Sequence, residues 1–115
     1  MSSHTIEVTP NPKRVLVRWA GEVVADTKQA LNLKESSYPV VHYIPRSDVA
    51  MDKLQRTAHQ THCPYKGDAS YFSIVANGKT AENAVWSYEA PLPGVSAIAG
   101  YLAFYGSRVD SIEEQ

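Results

Sequence analysis

The dipeptide Asn77-Gly78 constrains this chain more than any other feature. It separates the β-rich run Tyr71 to Ala76 from a segment that starts at Lys79 and returns as a strand over Asn83 to Tyr88. Both of its residues tolerate the positive φ that a two-residue hairpin turn demands. A tight antiparallel hairpin is therefore predicted, pairing outward from Ala76 and Lys79 until Tyr71 lies about opposite Ala84. A bulge near Ala81-Glu82 would let Trp86 or Tyr88, which share a strand face at period two, approach the start of the first strand.

The rest of the chain repeats this grammar. Val15, Val17 and Trp19 alternate with Leu16 and Arg18, Ala20-Gly21 makes a turn, and Glu22 to Ala25 returns. Val40 to Ile44 is a strand stopped by Pro45. Asp26 to Gln29 reads as one helical turn, followed by a strand towards Glu35. Ser47 or Asp48 can cap a two-turn helix over Val49 to Arg56, where Ala50 and Leu54 share a face. Val95 to Ala99 reads as a single helical turn, and Tyr101 to Tyr105 as a last buried strand. Thr5 to Val8 reads as a short arm and Ser107 to Gln115 as a polar tail. Many short strands divided by Gly and Pro predict a mainly β fold: a single compact domain of curled antiparallel sheet over residues 1–115, core about 14–109, with one or two short helices.

Composition narrows the partners. The chain has 115 residues, 43% hydrophobic and 20% charged, enough for one core without cross-links. A net charge near −1 and the lack of a basic block argue against a nucleic-acid surface. No apolar run approaches the ~20 residues of a membrane span. The single cysteine cannot form an internal disulfide, which fits a reducing compartment. Met1 to Thr5 lacks the basic start and apolar core of a signal peptide, so a cytoplasmic location is expected.

The chemistry concentrates in the stretch Thr61 to Phe72, expected as a shaped loop ahead of the hairpin. Cys63 is the candidate nucleophile, with His59 or His62 to raise its thiolate fraction; the competing reading is a free cysteine packed as a small apolar residue. A metal set of His59, His62 and Cys63, completed by Asp68 or His42, matches no established ligand spacing, so no metal and no cofactor is expected. Lys66-Gly67 suits an anion, since a cation beside a turn offers both charge and free N–H groups. Gly78-Lys79-Thr80 imitates a phosphate loop, but Ser73 stands where its leading glycine belongs. Tyr43, Tyr71, Trp86 and Tyr88, taken with Glu35, Arg46, Asp48 and Lys66, predict an aromatic-walled pocket with a few polar groups. Lys66→Ala would then weaken an anionic ligand while changing stability by less than ~1 kcal/mol.

Five blocks occur in a recognisable order. They are Glu35 before Tyr38-Pro39; Tyr43-x-Pro45-x-x-Asp48; Thr61-x-Cys63-Pro64-Tyr65-Lys66-Gly67-x-Ala69-x-Tyr71; Trp86-x-Tyr88-x-x-Pro91; and Gly100-Tyr101-x-Ala103-Phe104-Tyr105. In these the chain resembles the bacterial domain of unknown function family 427, sometimes labelled a nucleotidyltransferase. The resemblance implies a compact β fold similar to the β-tent group. Tent-like relatives often hold zinc through two Cys-x-x-Cys pairs, which a chain with one cysteine cannot supply. Metal-dependent nucleotidyl transfer needs paired carboxylates; no Asp-x-Asp occurs, so Glu35, Asp48 and Asp68 could meet only through the fold. The function expected is binding of a small anionic or polar molecule beside the Cys-Pro-Tyr-Lys-Gly segment. The alternative is a structural or protein-interaction module in which that segment locks the fold.

Overall fold

Residues 4–115 are described by a computed structural model. Ten strands form three antiparallel sheets. Strands β1 (Ile6–Pro10), β4 (Leu31–Glu35) and β5 (Val41–Tyr43) make one, in the order β1-β4-β5. Strands β2 (Val15–Trp19), β3 (Glu22–Thr27) and β10 (Ser111–Glu114) make the second, ordered β10-β2-β3. The third holds β6 (Leu54–Cys63), β7 (Gly67–Ala76), β8 (Lys79–Tyr88) and β9 (Leu102–Phe104) in sequence order.

Alternation along the third sheet explains the layout. Phe72, Ile74, Val85, Leu102 and Phe104 join Val15, Val17 and Val24 of the second sheet in one apolar core. Ala69, Tyr71, Tyr88 and Ala103 join Leu33 and Tyr43 of the first sheet in another. Neighbours in a strand point to opposite faces, so one sheet supports two cores, and the more aromatic one faces β4 and β5.

Both expected hairpins form. Asn77 and Gly78 adopt φ of 52° and 75° between β7 and β8. Ala76 faces Lys79 and Ile74 faces Ala81, but Phe72 faces Val85. Four residues of β8 thus answer two of β7. The bulge centres on Asn83, whose N–H donates to Ser73 Oγ at 3.0 Å. It sets Trp86, not Ala84, opposite Tyr71.

Four expectations are corrected. No helical turn forms over Asp26 to Gln29, because Asp26 and Thr27 belong to β3 and pair with β2. The helix over Val49 to Arg56 is replaced by two single 3-10 turns, Arg46–Asp48 and Met51–Lys53, and β6 begins at Leu54. The ladder to β7 outweighs a helix with only a weak apolar stripe. The stretch expected as a loop before the hairpin is itself a hairpin: Cys63 pairs with Gly67 around Pro64-Tyr65-Lys66. The arm and the tail both carry strands, β1 on β4 and β10 on β2.

Asn11 ties the first two sheets together. Its side-chain carbonyl accepts from Lys13 N–H, and its amide donates to Asn32 Oδ1 at 3.1 Å and Glu114 Oε2 at 2.7 Å. A buried amide satisfied at each atom makes this junction specific rather than merely adhesive.

Candidate functional site

The Cys-Pro-Tyr-Lys-Gly turn is built around Lys66. Its side chain folds inward, and the residue is only 8% exposed. The ammonium donates to Glu35 Oε1 at 2.5 Å, from the end of β4. Glu35 Oε2 lies 2.7 Å from His4 Nε2, and the His4 ring stacks on Tyr65 at 3.7 Å. Burial would raise the Glu35 carboxyl, but the hydrogen bonds and charge of Lys66 and His4 together hold it below the ordinary range. Gly67 follows at φ 110°, where a side chain is strained, and Leu92 N–H donates to the Lys66 carbonyl at 3.0 Å. The lysine's charge is thus answered inside the protein.

Behind this turn runs a linked aromatic set. Tyr43 is 1% exposed and accepts a 3.1 Å hydrogen bond from Trp86 Nε1. Trp86 packs on Tyr105 with ring centres 4.5 Å apart. The Tyr105 hydroxyl meets that of Tyr71 at 3.2 Å, which meets Thr61 Oγ1 at 3.0 Å. Burial, with the Tyr71 hydrogen bond and charge, pushes the Tyr105 phenol up to about 12. Burial likewise raises Tyr43, and Tyr88, whose ionisable neighbours Tyr43, Cys63, Tyr71 and Glu35 add to the shift.

The remaining candidates fall elsewhere. Cys63 is half-buried against the aromatic core. His59 sits edge-on to Tyr71 at 4.5 Å, while His62 pairs across the strands with Asp68 at 2.7 Å. Arg46 donates to Glu89 at 2.6 Å and lies over the Phe72 ring, in the other core. Asp48 accepts from Thr27 Oγ1 at 2.7 Å. Glu35, Asp48 and Asp68 therefore answer three different partners, and no group of three His, Cys, Asp or Glu side chains able to hold a metal occurs among the described residues. The carboxylates present do not fit the metal centre of a nucleotidyltransferase.

A groove of about 410 Å³ opens between β5 and β9, lined by residues of both cores and by Val17 of β2 and Ile112 of β10. Val17, Val41, Ile44, Trp86, Tyr105 and Ile112 line it, as does His42. Of the residues expected to wall a pocket, only Trp86 does so; Lys66, Cys63, Tyr71 and Tyr88 stand outside its lining. His42 had weight only as a distant metal ligand, and Tyr105 only as one of many aromatics. A polar residue amid the apolar run Val40 to Ile44 was the one signal for His42.

The tautomer of His42 follows from its neighbours. Asn11 is oriented by donating to the Glu114 carboxylate and accepting from Lys13 N–H. Its amide therefore faces a carbonyl oxygen on Asn32, and that oxygen also lies 2.7 Å from His42 Nδ1. His42 Nδ1 must donate, so in the neutral ring Nε2 is the acceptor.

These features define a class: a mainly β protein of three antiparallel sheets, with one aromatic core and an open groove at the edge of its central sheet. The chain belongs to the family described as domain of unknown function (DUF427), which it matches over residues 7–115. No curated protein matches the sequence.

Proposed function

We propose that this protein binds a small polar molecule in the groove between β5 and β9, and that the Cys-Pro-Tyr-Lys-Gly turn holds the wall of that groove in place. The observation that carries the reading is the groove itself: about 410 Å³, within the range of small-ligand sites, with Trp86 and Tyr105 as its aromatic wall. Trp86 is the contact residue, and Tyr43 fixes its ring through the indole N–H. Tyr71 and Tyr88 back that wall, Glu35 and Lys66 pin the turn to β4, and Cys63 packs beneath. Arg46 and Asp48 take no part. An anion at Lys66 would have to displace Glu35, which favours a fold-locking role for the turn. The β-tent likeness and a cytoplasmic location remain part of this proposal.

The test uses a Trp19→Phe background, so that Trp86 is the sole indole. Small aromatic acids, phenols and amides are titrated while fluorescence is read. A saturable response from at least one class, abolished by Ile112→Phe at the groove rim, supports the reading. Absence of any saturable response from folded protein, or a response that survives Ile112→Phe, overturns it.

A further inference from the structure

The groove has few polar side chains, and most of those are already engaged. Among the described residues no Lys, Arg, Asp or Glu lines it. Trp86 donates its one N–H to Tyr43, and the Tyr105 hydroxyl meets that of Tyr71. His42 remains. His42 and Ile44, two residues apart in an extended segment, share a face, and both line the groove. Asn32 on the neighbouring strand holds the Nδ1 of His42, while Nε2 makes no hydrogen bond among the described residues.

The hold on Nδ1 begins away from the groove, at β10. The Glu114 carboxylate accepts only, so it orients the Asn11 amide, which is 3% exposed and fixed a second time by Lys13 N–H. Asn11 orients Asn32, and Asn32 orients the ring. Reversing either amide would set two donors or two acceptors face to face. A histidine in water exchanges between its two neutral forms. This one is held in the form that presents an acceptor at Nε2.

We infer that His42 is the residue by which the groove selects its ligand, and that the ligand is a flat, uncharged molecule carrying an O–H or N–H donor. The inference rests on the groove being the binding site and names its ligand class. The donor meets Nε2, and the apolar body lies against Trp86, Val17 and Ile112. Beside a neutral ring, a charged group would leave water without a counter-charge, which disfavours carboxylates and ammonium groups. A molecule with only an acceptor would face the lone pair of Nε2. A site built to pair with a donor discriminates most strongly against an analogue that lacks it.

The test uses full-length protein with isotope-labelled histidine at about pH 8, where free imidazole is neutral. Long-range proton–nitrogen NMR reads the His42 ring during titration with phenol, benzamide or fluorobenzene, the last being close to phenol in shape but without the donor. The expected result is a ring protonated at Nδ1 alone, whose Nε2 resonance moves saturably upfield with phenol or benzamide, as accepting a hydrogen bond requires, and does not do so with fluorobenzene. His42→Phe should lower the ratio of phenol to fluorobenzene affinity, read from amide shifts, by about tenfold, the usual worth of one hydrogen bond. The wild-type ring signal decides the matter even where His42→Phe does not fold. Three results would overturn the inference and leave the groove reading standing: a free ring protonated at Nε2, a bound donor that leaves Nε2 unmoved, or benzoate bound more tightly than phenol. An unchanged affinity ratio in folded His42→Phe would do the same. If none of these probes binds at millimolar concentration, both readings fail.

Discussion

Removing Lys66 tests the turn most directly. Lys66→Met keeps the length of the side chain but leaves Glu35, its side chain 16% exposed, with only His4 as partner. Breaking a fully buried ion pair costs roughly 3–5 kcal/mol. Partial exposure and the remaining His4 contact reduce that, giving a loss of about 2–3 kcal/mol. This is well above the ~1 kcal/mol ceiling that suits a solvated ligand-binding lysine. With a urea m value of about 1–3 kcal/mol/M for a small protein, the midpoint should fall by about 1–2 M. The double variant Lys66→Met/Glu35→Gln removes both charges and should recover to within about 1 kcal/mol of the parent, since neutral replacements of a buried pair are commonly tolerated. The pH dependence has a definite sign. The Glu35 carboxyl is held below its unfolded value, so the pair's contribution is complete above about pH 4.5 and is lost as pH falls through the lowered value. Parent and Lys66→Met should therefore converge in acid. A single-variant shift under about 0.3 M, or additive effects in the double variant, would refute the ion pair as the lock.

Other outcomes follow from the same geometry. Gly78→Val should cost about 1 kcal/mol by urea melting; a Cβ at Gly78 meets nothing within 4 Å, so the loss is backbone strain at φ 75°, and an unchanged midpoint would contradict it. Tyr43, Tyr88 and Tyr105 favour the neutral phenol in the fold, so stability should be complete below about pH 10 and decline above it. Ultraviolet titration should show these three of the seven tyrosines ionising late or only on unfolding; ionisation of every phenol near pH 10 in folded protein would count against the buried network. Chelation should leave the urea midpoint unchanged, and stoichiometric zinc with unfolding in chelator would reverse that expectation.

The legible parts of the fold were those whose cause is local. Asn77-Gly78 and Ala20-Gly21 state their turns in adjacent residues, and both hairpins form there. β6 was hidden because it is the outer strand of its sheet, with polar residues exposed on both faces from Gln55 to His62, so no alternation survives to read. β1 and β10 were hidden for a different reason: their partners, β4 and β2, lie far off in sequence, and pairing supplies the order that their own residues do not. The candidate residues were legible as a set, and of them only Trp86 lines the groove. Tyr43, Tyr71, Trp86 and Tyr88 do share a core, and Glu35 does meet Lys66. The groove opens beside the isolated bridge of Ile44 and Leu102, and the place where two strands stop pairing leaves no mark in residue types.

The bulge at Asn83 has a consequence for how the length of β8 can vary. A strand has two phases, inward and outward, and the four residues answering two on β7 advance the chain without changing phase. Val85 stays with the Phe72 core, and Trp86 and Tyr88 stay with the other. The bulge between β2 and β3 does the same with one extra residue, since Val17 faces Ala25 and Arg18 faces Val23. Loss of one or both extra residues between Ala81 and Val85 can therefore be absorbed where the bulge lies, with Val85 still opposite Phe72 and Trp86 opposite Tyr71. A residue lost beyond Val85, where the ladder to β7 is regular, has no such slack and would turn Ser87 towards the aromatic core in place of Trp86.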